Sequence, residues 1–221
     1  MDNTQNNTAR KQLAHPKLAM VAMLLGAFVG MLSETSLNIA LPKLMLSLRV
    51  NMATIQWLVT GYMLVIGIIL PLSSLISKWF TTRQIIIFGL LSFIIGAVIS
   101  ACASSFPGVL IGRMVQGIGT GFILPLMFAV AMQIFPPQKL GAVLGICALV
   151  IMFAPAIGPT LTGLILAKLS WRWIFWLFIP FLVLALIFAI TSLDNVNNIS
   201  KPHVDWLSII ESAVGFSGLV I

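Results

Sequence analysis

The sequence predicts an all-α integral membrane protein, six spans in one bundle followed by the start of a truncated seventh, and three observations carry that prediction. Of its 221 residues 60% are hydrophobic and only 8% charged, with a mean hydropathy of +1.11; soluble domains carry about 25% charge. Apolar runs of the roughly 20 residues that cross a bilayer core recur along the chain. The connections between them, such as Pro42 to Ala53 and Lys78 to Arg83, are too short to hold a soluble domain, so the spans form one bundle and the chemistry takes place within the membrane.

The elements follow in order. Residues 1–17 are polar and read as a cytoplasmic tail; no small-residue cleavage site closes the apolar run behind them, and that run is too long for a signal peptide. The spans are Leu18 to Leu41, Thr54 to Ser77, Gln84 to Ala103, Val109 to Phe135, Leu140 to Ala167 and Trp173 to Leu193. Together, residues 18–193 make the bundle. Residues 194–203 are polar and contain Pro202, as a linker would, and residues 204–221 begin a further apolar run that the sequence cuts short.

The net charge of +7 and pI near 10.0 do not indicate nucleic acid, because the cations stand singly between spans and form no patch. They are topology signals. With the N-terminus inside, Arg10, Lys11, Lys17, Lys78, Arg83, Lys139 and Lys201 are cytoplasmic, against Lys43, Arg49, Lys168 and Arg172 outside. Positive residues favour the cytoplasmic side, so a multi-pass protein of the cell membrane with an inner N-terminus is expected. Cys102 and Cys147 then lie at opposite ends of their spans, too far apart for a disulfide, and both are read as packing residues.

Two formal charges interrupt the long runs: Glu34 in the first and Arg113 in the fourth. An ionisable side chain in hydrocarbon is costly and marks a functional site by default. Helical rise places each about 10 to 12 Å from the same, outer membrane face, so each is the other's expected partner. Gly26, Gly30, Glu34 and Asn38 recur every fourth residue and form one small, polar stripe, with Ser33, Thr35 and Ser36 beside it. Such a stripe suits either a tight helix contact with a structural ion pair or a path for protons.

In the fourth span Arg113, Gly117 and Thr120 share a face and Gln116 lies one turn from Arg113; Gly117, Gly119 and Gly121 admit a neighbouring backbone. This glycine cluster is no phosphate loop, since no strand precedes it and the Gly-Lys-Ser/Thr ending is missing. The fifth span carries Pro155, Gly158, Pro159 and Gly163. Prolines four residues apart remove successive backbone hydrogen bonds, which predicts a sharp bend, static or moving. An enzyme is not expected: His15 and His203 lie outside the spans and Glu34 is the one acid within the six, leaving neither a nucleophile with its base nor a metal cluster.

These residues carry a resemblance. Arg113 to Gly121, as Arg-x-x-Gln-Gly-x-Gly-x-Gly, resembles the fourth-span motif of the major facilitator superfamily. Ala154 to Gly163 is similar to the fifth-span motif of its antiporters. Leu32 to Pro42, ending Glu-Thr-Ser-Leu-Asn-Ile-Ala-Leu-Pro, resembles the first-span motif of the fourteen-span drug:proton branch, the EmrB/QacA-like multidrug exporters, and Trp171 to Phe175 is similar to their sixth-span entrance. One motif departs: the loop after the second span carries Lys78, Thr81, Thr82 and Arg83 where the superfamily has an Asp and a Gly-Arg-Arg cluster, so only Arg83 of that cluster persists.

The resemblance implies a six-span bundle made of two inverted three-span repeats, the first span corresponding to the fourth, with transport between two bundles that rock around a central site. It implies proton-coupled efflux of lipophilic, often cationic drugs. On that reading Glu34 carries the proton and a shifting Arg113 contact switches its release. Asn38, Tyr62 and Gln116 are pathway candidates; Tyr62 and Trp57 could stack on drugs and Met127 and Met152 could adapt to varied shapes, although ordinary packing explains those four as well. No cofactor or metal is expected, the coupling ion being the proton. The partners would be small drug-like molecules, the bilayer, and a missing C-terminal half or a second copy supplying the opposite wall, without which transport is not expected. Metabolite transport by another branch and a non-transporting fragment are the alternatives.

Overall fold

The computed structural model describes residues 16–192. The linker and the seventh apolar run expected at 194–221 lie outside the described residues, as does nearly all of the expected tail. The described residues form α1 (Pro16–Leu48), α2 (Met52–Trp79), α3 (Thr82–Cys102), α4 (Phe106–Ile134), α5 (Pro137–Lys168) and α6 (Arg172–Ser192). All six are long and apolar enough to cross a membrane.

Helix ends follow local chemistry. Asn51 accepts from the Thr54 amide to start α2, and Thr81 with Gln84 forms a reciprocal capping box at α3. Proline at the first positions begins α4 and α5, where its missing N–H costs nothing. Pro42 does not end the first helix, contrary to the sequence expectation: α1 continues to Leu48. A proline removes one bond, to the carbonyl four residues back, and a membrane helix tolerates that loss where other groups reach the freed carbonyl. The true stop is Arg49, whose φ of 54° lies in the left-handed region, while the Val50 amide returns to the Met45 carbonyl. α5 likewise stays helical through Pro155 and Pro159, so those prolines do not divide it.

Packing reveals an internal repeat. α1 packs on α5 and α6, while α4 packs on α2 and α3; α1 meets α4, and α3 meets α6. Exchanging α1 with α4, α2 with α5 and α3 with α6 leaves this pattern unchanged. Short connections make successive helices antiparallel, so α4 runs opposite to α1, and the two triplets have the inverted relation expected from the fourteen-span resemblance. α1, α3 and α4 form the interior, whereas α2 and α5 are largely uncovered. α5 exposes Leu149, Met152 and Phe153, an apolar surface suited to lipid or another bundle.

Interhelical contacts are close where glycine allows it. A Cβ on Gly119 would stand 2.4 Å from the Gly89 carbonyl of α3. On the other side of α4, Gly117 and Gly121 abut Tyr62, Val65 and Ile69 of α2. The alternating glycines thus let one helix approach two neighbours. Of the free cysteines, Cys147 is a core residue as expected, but Cys102 is exposed at the end of α3.

The buried Arg113 network, a candidate functional site

α4 presents Arg113, Gln116 and Thr120 inward at successive turns, and all three are almost completely buried. The adjacent glycines make this possible by drawing α2 against α4. The guanidinium of Arg113 donates through Nη1 to Ser33 Oγ of α1 at 2.7 Å and to Gln116 Oε1 at 2.6 Å, and through Nε to the Leu58 carbonyl of α2 at 3.5 Å. Its carbon lies 3.9 Å from the centre of the Tyr62 ring. The Tyr62 hydroxyl in turn donates to the Gly30 carbonyl at 3.2 Å and lies 2.8 Å from Thr120 Oγ1. One network therefore ties α1, α2 and α4 together at a single depth.

A buried cation without compensation costs several kcal/mol. Here neutral oxygen acceptors and a π face supply the compensation, and Glu34 is not among the hydrogen-bonding partners of Arg113. The depth match read from the sequence is realised, since Ser33 precedes Glu34, but the direct ion pair is not. The helical twist explains the difference: Ser33 turns toward α4 and is buried, while Glu34, 100° further round, is half-buried and Asn38 is exposed. Glu34 remains near enough to Arg113 for a Coulombic interaction.

The stripe on α1 consequently has two parts. Gly26 and Gly30 meet Leu90, Ile123 and Thr120 in tight contact, whereas Glu34 and Asn38 reach an uncovered surface. α5 closes on α1 at the same level, with Gly158 so near Thr35 that a Cβ would stand 2.4 Å from its hydroxyl. Gly163 has nothing within 4 Å of where a Cβ would be, and Pro159 is exposed. Of the pathway candidates, Tyr62 and Gln116 are wholly enclosed in the Arg113 network and only Asn38 is open; Trp57 and Met152 are exposed and Met127 is buried.

Two donors in the network, Arg113 Nη2 and Gln116 Nε2, are buried without a hydrogen-bond partner. An unmet buried donor is costly, so the site can accept a further oxygen. Sequence reasoning noted Ser33 only as a hydroxyl beside the stripe and did not see it as the Arg113 acceptor. Matching residue depths between the first and fourth spans would have found it. The sixth-span entrance is also organised: Trp171 Nε1 donates to Ser47 Oγ at 3.0 Å, and Arg172 donates to the Ala103 carbonyl at 2.8 Å while lying over the Trp171 ring.

Among the described residues, six apolar helices in two inverted triplets around a buried cation define a multi-pass membrane protein. Residues 23–212 match the Major Facilitator Superfamily, and the chain belongs to that superfamily. It is 55% identical over 201 residues to the lincomycin resistance protein LmrB of Bacillus subtilis (strain 168), covering 91% of this chain and 42% of that protein. It is 45% identical over 216 residues to the LmrB of Listeria monocytogenes serovar 1/2a, covering 98% of this chain and 46% of the relative. A crystal structure of the peptide transporter POT in complex with sulfate superposes with a TM-score of 0.73 at 15% identity, over 91% of this chain and 44% of the other, and shares the fold. The chain spans less than half the length of these relatives.

Proposed function

We propose that this chain forms the N-terminal bundle of a proton-coupled exporter of lipophilic, cationic drugs, of the fourteen-span branch, in the cell membrane with its N-terminus inside. The observation that supports it best is the position of Glu34: a carboxyl half-open to an uncovered surface, one residue from the hydroxyl that holds a fully buried arginine. Glu34 is the proton carrier. Arg113 Nη2, which has no partner in this arrangement, is the donor that a rotated Glu34 would engage. Burial in low dielectric favours the neutral carboxyl and a contacting cation favours the carboxylate, so making and breaking that contact alternates proton release and uptake. A cationic substrate competes for the same charge. Each proton moved down the potential supplies about 2.3 kcal/mol per 100 mV for resetting the cycle.

The resistance named for the relatives adds lincomycin to the proposed substrates. The test is ethidium efflux and lincomycin susceptibility in energised cells expressing the full reading frame. Uncoupler-sensitive efflux with raised resistance supports the reading; proton-driven uptake of a metabolite with neither would replace it by the importer alternative.

A further inference from the structure

Where α2 ends and α3 begins, two cavities of opposite character lie side by side. One is an apolar cleft of about 450 Å³ lined by Ile76, Phe80, Gln84, Ile85, Phe88 and Phe122. The other, of about 210 Å³, is mixed polar and is lined by Ser77, Lys78, Thr82 and Gln133 with apolar residues of α4. No residue lines both, but the linings adjoin along the same helices: Ile76 and Ser77 are consecutive, and Leu126, in the second cavity, is one turn beyond Phe122. Both reach the same membrane face, the cleft through Phe80 at the C-cap of α2 and the polar cavity through Gln133 near the end of α4. The cleft also extends inward to Phe122, about 16 Å deeper than Gln133 by helical rise.

We propose that this pair of cavities binds one anionic phospholipid, its phosphate group against Lys78 and Thr82 and an acyl chain in the cleft under Phe80 and Phe88. Three features favour that occupant. The order of chemistry, a cation and a hydroxyl at the face and an apolar cleft that runs inward along Phe88 to Phe122, is that of a phospholipid. Lys78 is exposed and basic, and Arg83, whose guanidinium donates to the Ile190 carbonyl at 2.8 Å, adds charge on the same face; basic pockets between membrane helices attract anionic headgroups. Finally, Thr82 is fully buried and its Oγ1 lacks a hydrogen-bond partner. A phosphate oxygen would accept from it. The lipid would also bridge α2 and α3, which make little direct contact with each other.

The test uses the purified chain in mild detergent, followed by native mass spectrometry during delipidation and then titration with phosphatidylglycerol, phosphatidylcholine or inorganic phosphate. One phosphatidylglycerol should be retained under conditions that strip phosphatidylcholine. Lys78→Gln should lower the preference about five-fold, the equivalent of the roughly 1 kcal/mol a basic residue contributes near an anionic surface, with the lipid-free melting temperature unchanged. Thr82→Val, nearly the same shape, should weaken retention in the same direction. A photoreactive acyl chain on phosphatidylglycerol should label peptides carrying Phe80, Phe88 and Phe122. Equal retention of both lipids, an unchanged preference in Lys78→Gln, displacement of the lipid by millimolar phosphate, or labels spread over all six helices would each overturn the proposal.

Discussion

Arg113 donates to Ser33 Oγ at 2.7 Å, so the cation of the fourth span is held by a hydroxyl of the first and not by the carboxylate beside it. That contact leaves Glu34 half-buried at an open surface while Arg113 stays fully buried. The consequences can be measured.

Tyr62 should divide into a ring and a hydroxyl contribution. Tyr62→Phe keeps the face under Arg113 but loses bonds to Gly30 and Thr120, an expected loss of about 1 kcal/mol. Tyr62→Leu also removes the cation–π contact, a further loss of about 2 kcal/mol for a desolvated pair. Thermal unfolding in detergent should rank wild type, Phe, then Leu; equal destabilisation by both variants would show that the ring contributes nothing.

Glu34→Gln in the full-length protein should abolish proton-coupled efflux and leave membrane insertion and melting nearly unchanged, because Glu34 is half-buried and is not a hydrogen-bonding partner of Arg113. Drug-driven proton release equal to wild type from the Gln variant would remove Glu34 from the mechanism.

Arg113→Lys keeps the charge but cannot reproduce a fork that engages Ser33, Gln116 and the Leu58 carbonyl at once. Breaking a buried polar network of this kind costs about 3 kcal/mol. Reduced melting temperature together with lost coupling is expected, and Arg113→Ala should be worse on both counts.

Glycines of the two motifs should differ sharply. Gly119→Ala places a methyl 2.4 Å from the Gly89 carbonyl and should separate α3 from α4, at a cost of about 1 to 3 kcal/mol for overpacking. Gly163→Ala meets nothing within 4 Å and should be neutral or stabilising by up to about 1 kcal/mol through helix propensity. The comparison is read from melting temperature and yield.

Topology is testable at exposed positions. In a background with Cys102 and Cys147 replaced, an impermeant thiol reagent added to intact cells should label Ser47→Cys and miss Gln138→Cys. Labelling at position 138 instead would reverse the orientation.

Much of the architecture was legible in the residues because membrane solvation imposes a strong local code: runs of about 20 apolar residues have to be helical when no water can satisfy their backbone. The breaks were less legible. Pro42 looked like a terminus, yet a single lost hydrogen bond does not end a membrane helix, and a left-handed Arg49 seven residues beyond the proline does so instead. Cys102 looked like a packing residue and lies at an exposed helix end, where apolar character alone does not decide burial.

By itself the sequence determined that the described residues form a bundle of six spanning helices, that Glu34 and Arg113 share a depth, and that α4 carries the glycines for close approach. Those properties follow from hydropathy, rise per residue and side-chain size, all of which are local. Only the tertiary structure decided that Ser33, Gln116 and Tyr62 hold Arg113, that Glu34 turns to an open surface, and that an apolar cleft and a mixed polar cavity form where α2 passes to α3. The reason is rotational: a 100° step between neighbouring residues separates Ser33 from Glu34, and the azimuth each helix presents to the others is set by packing among α1, α2 and α4 together.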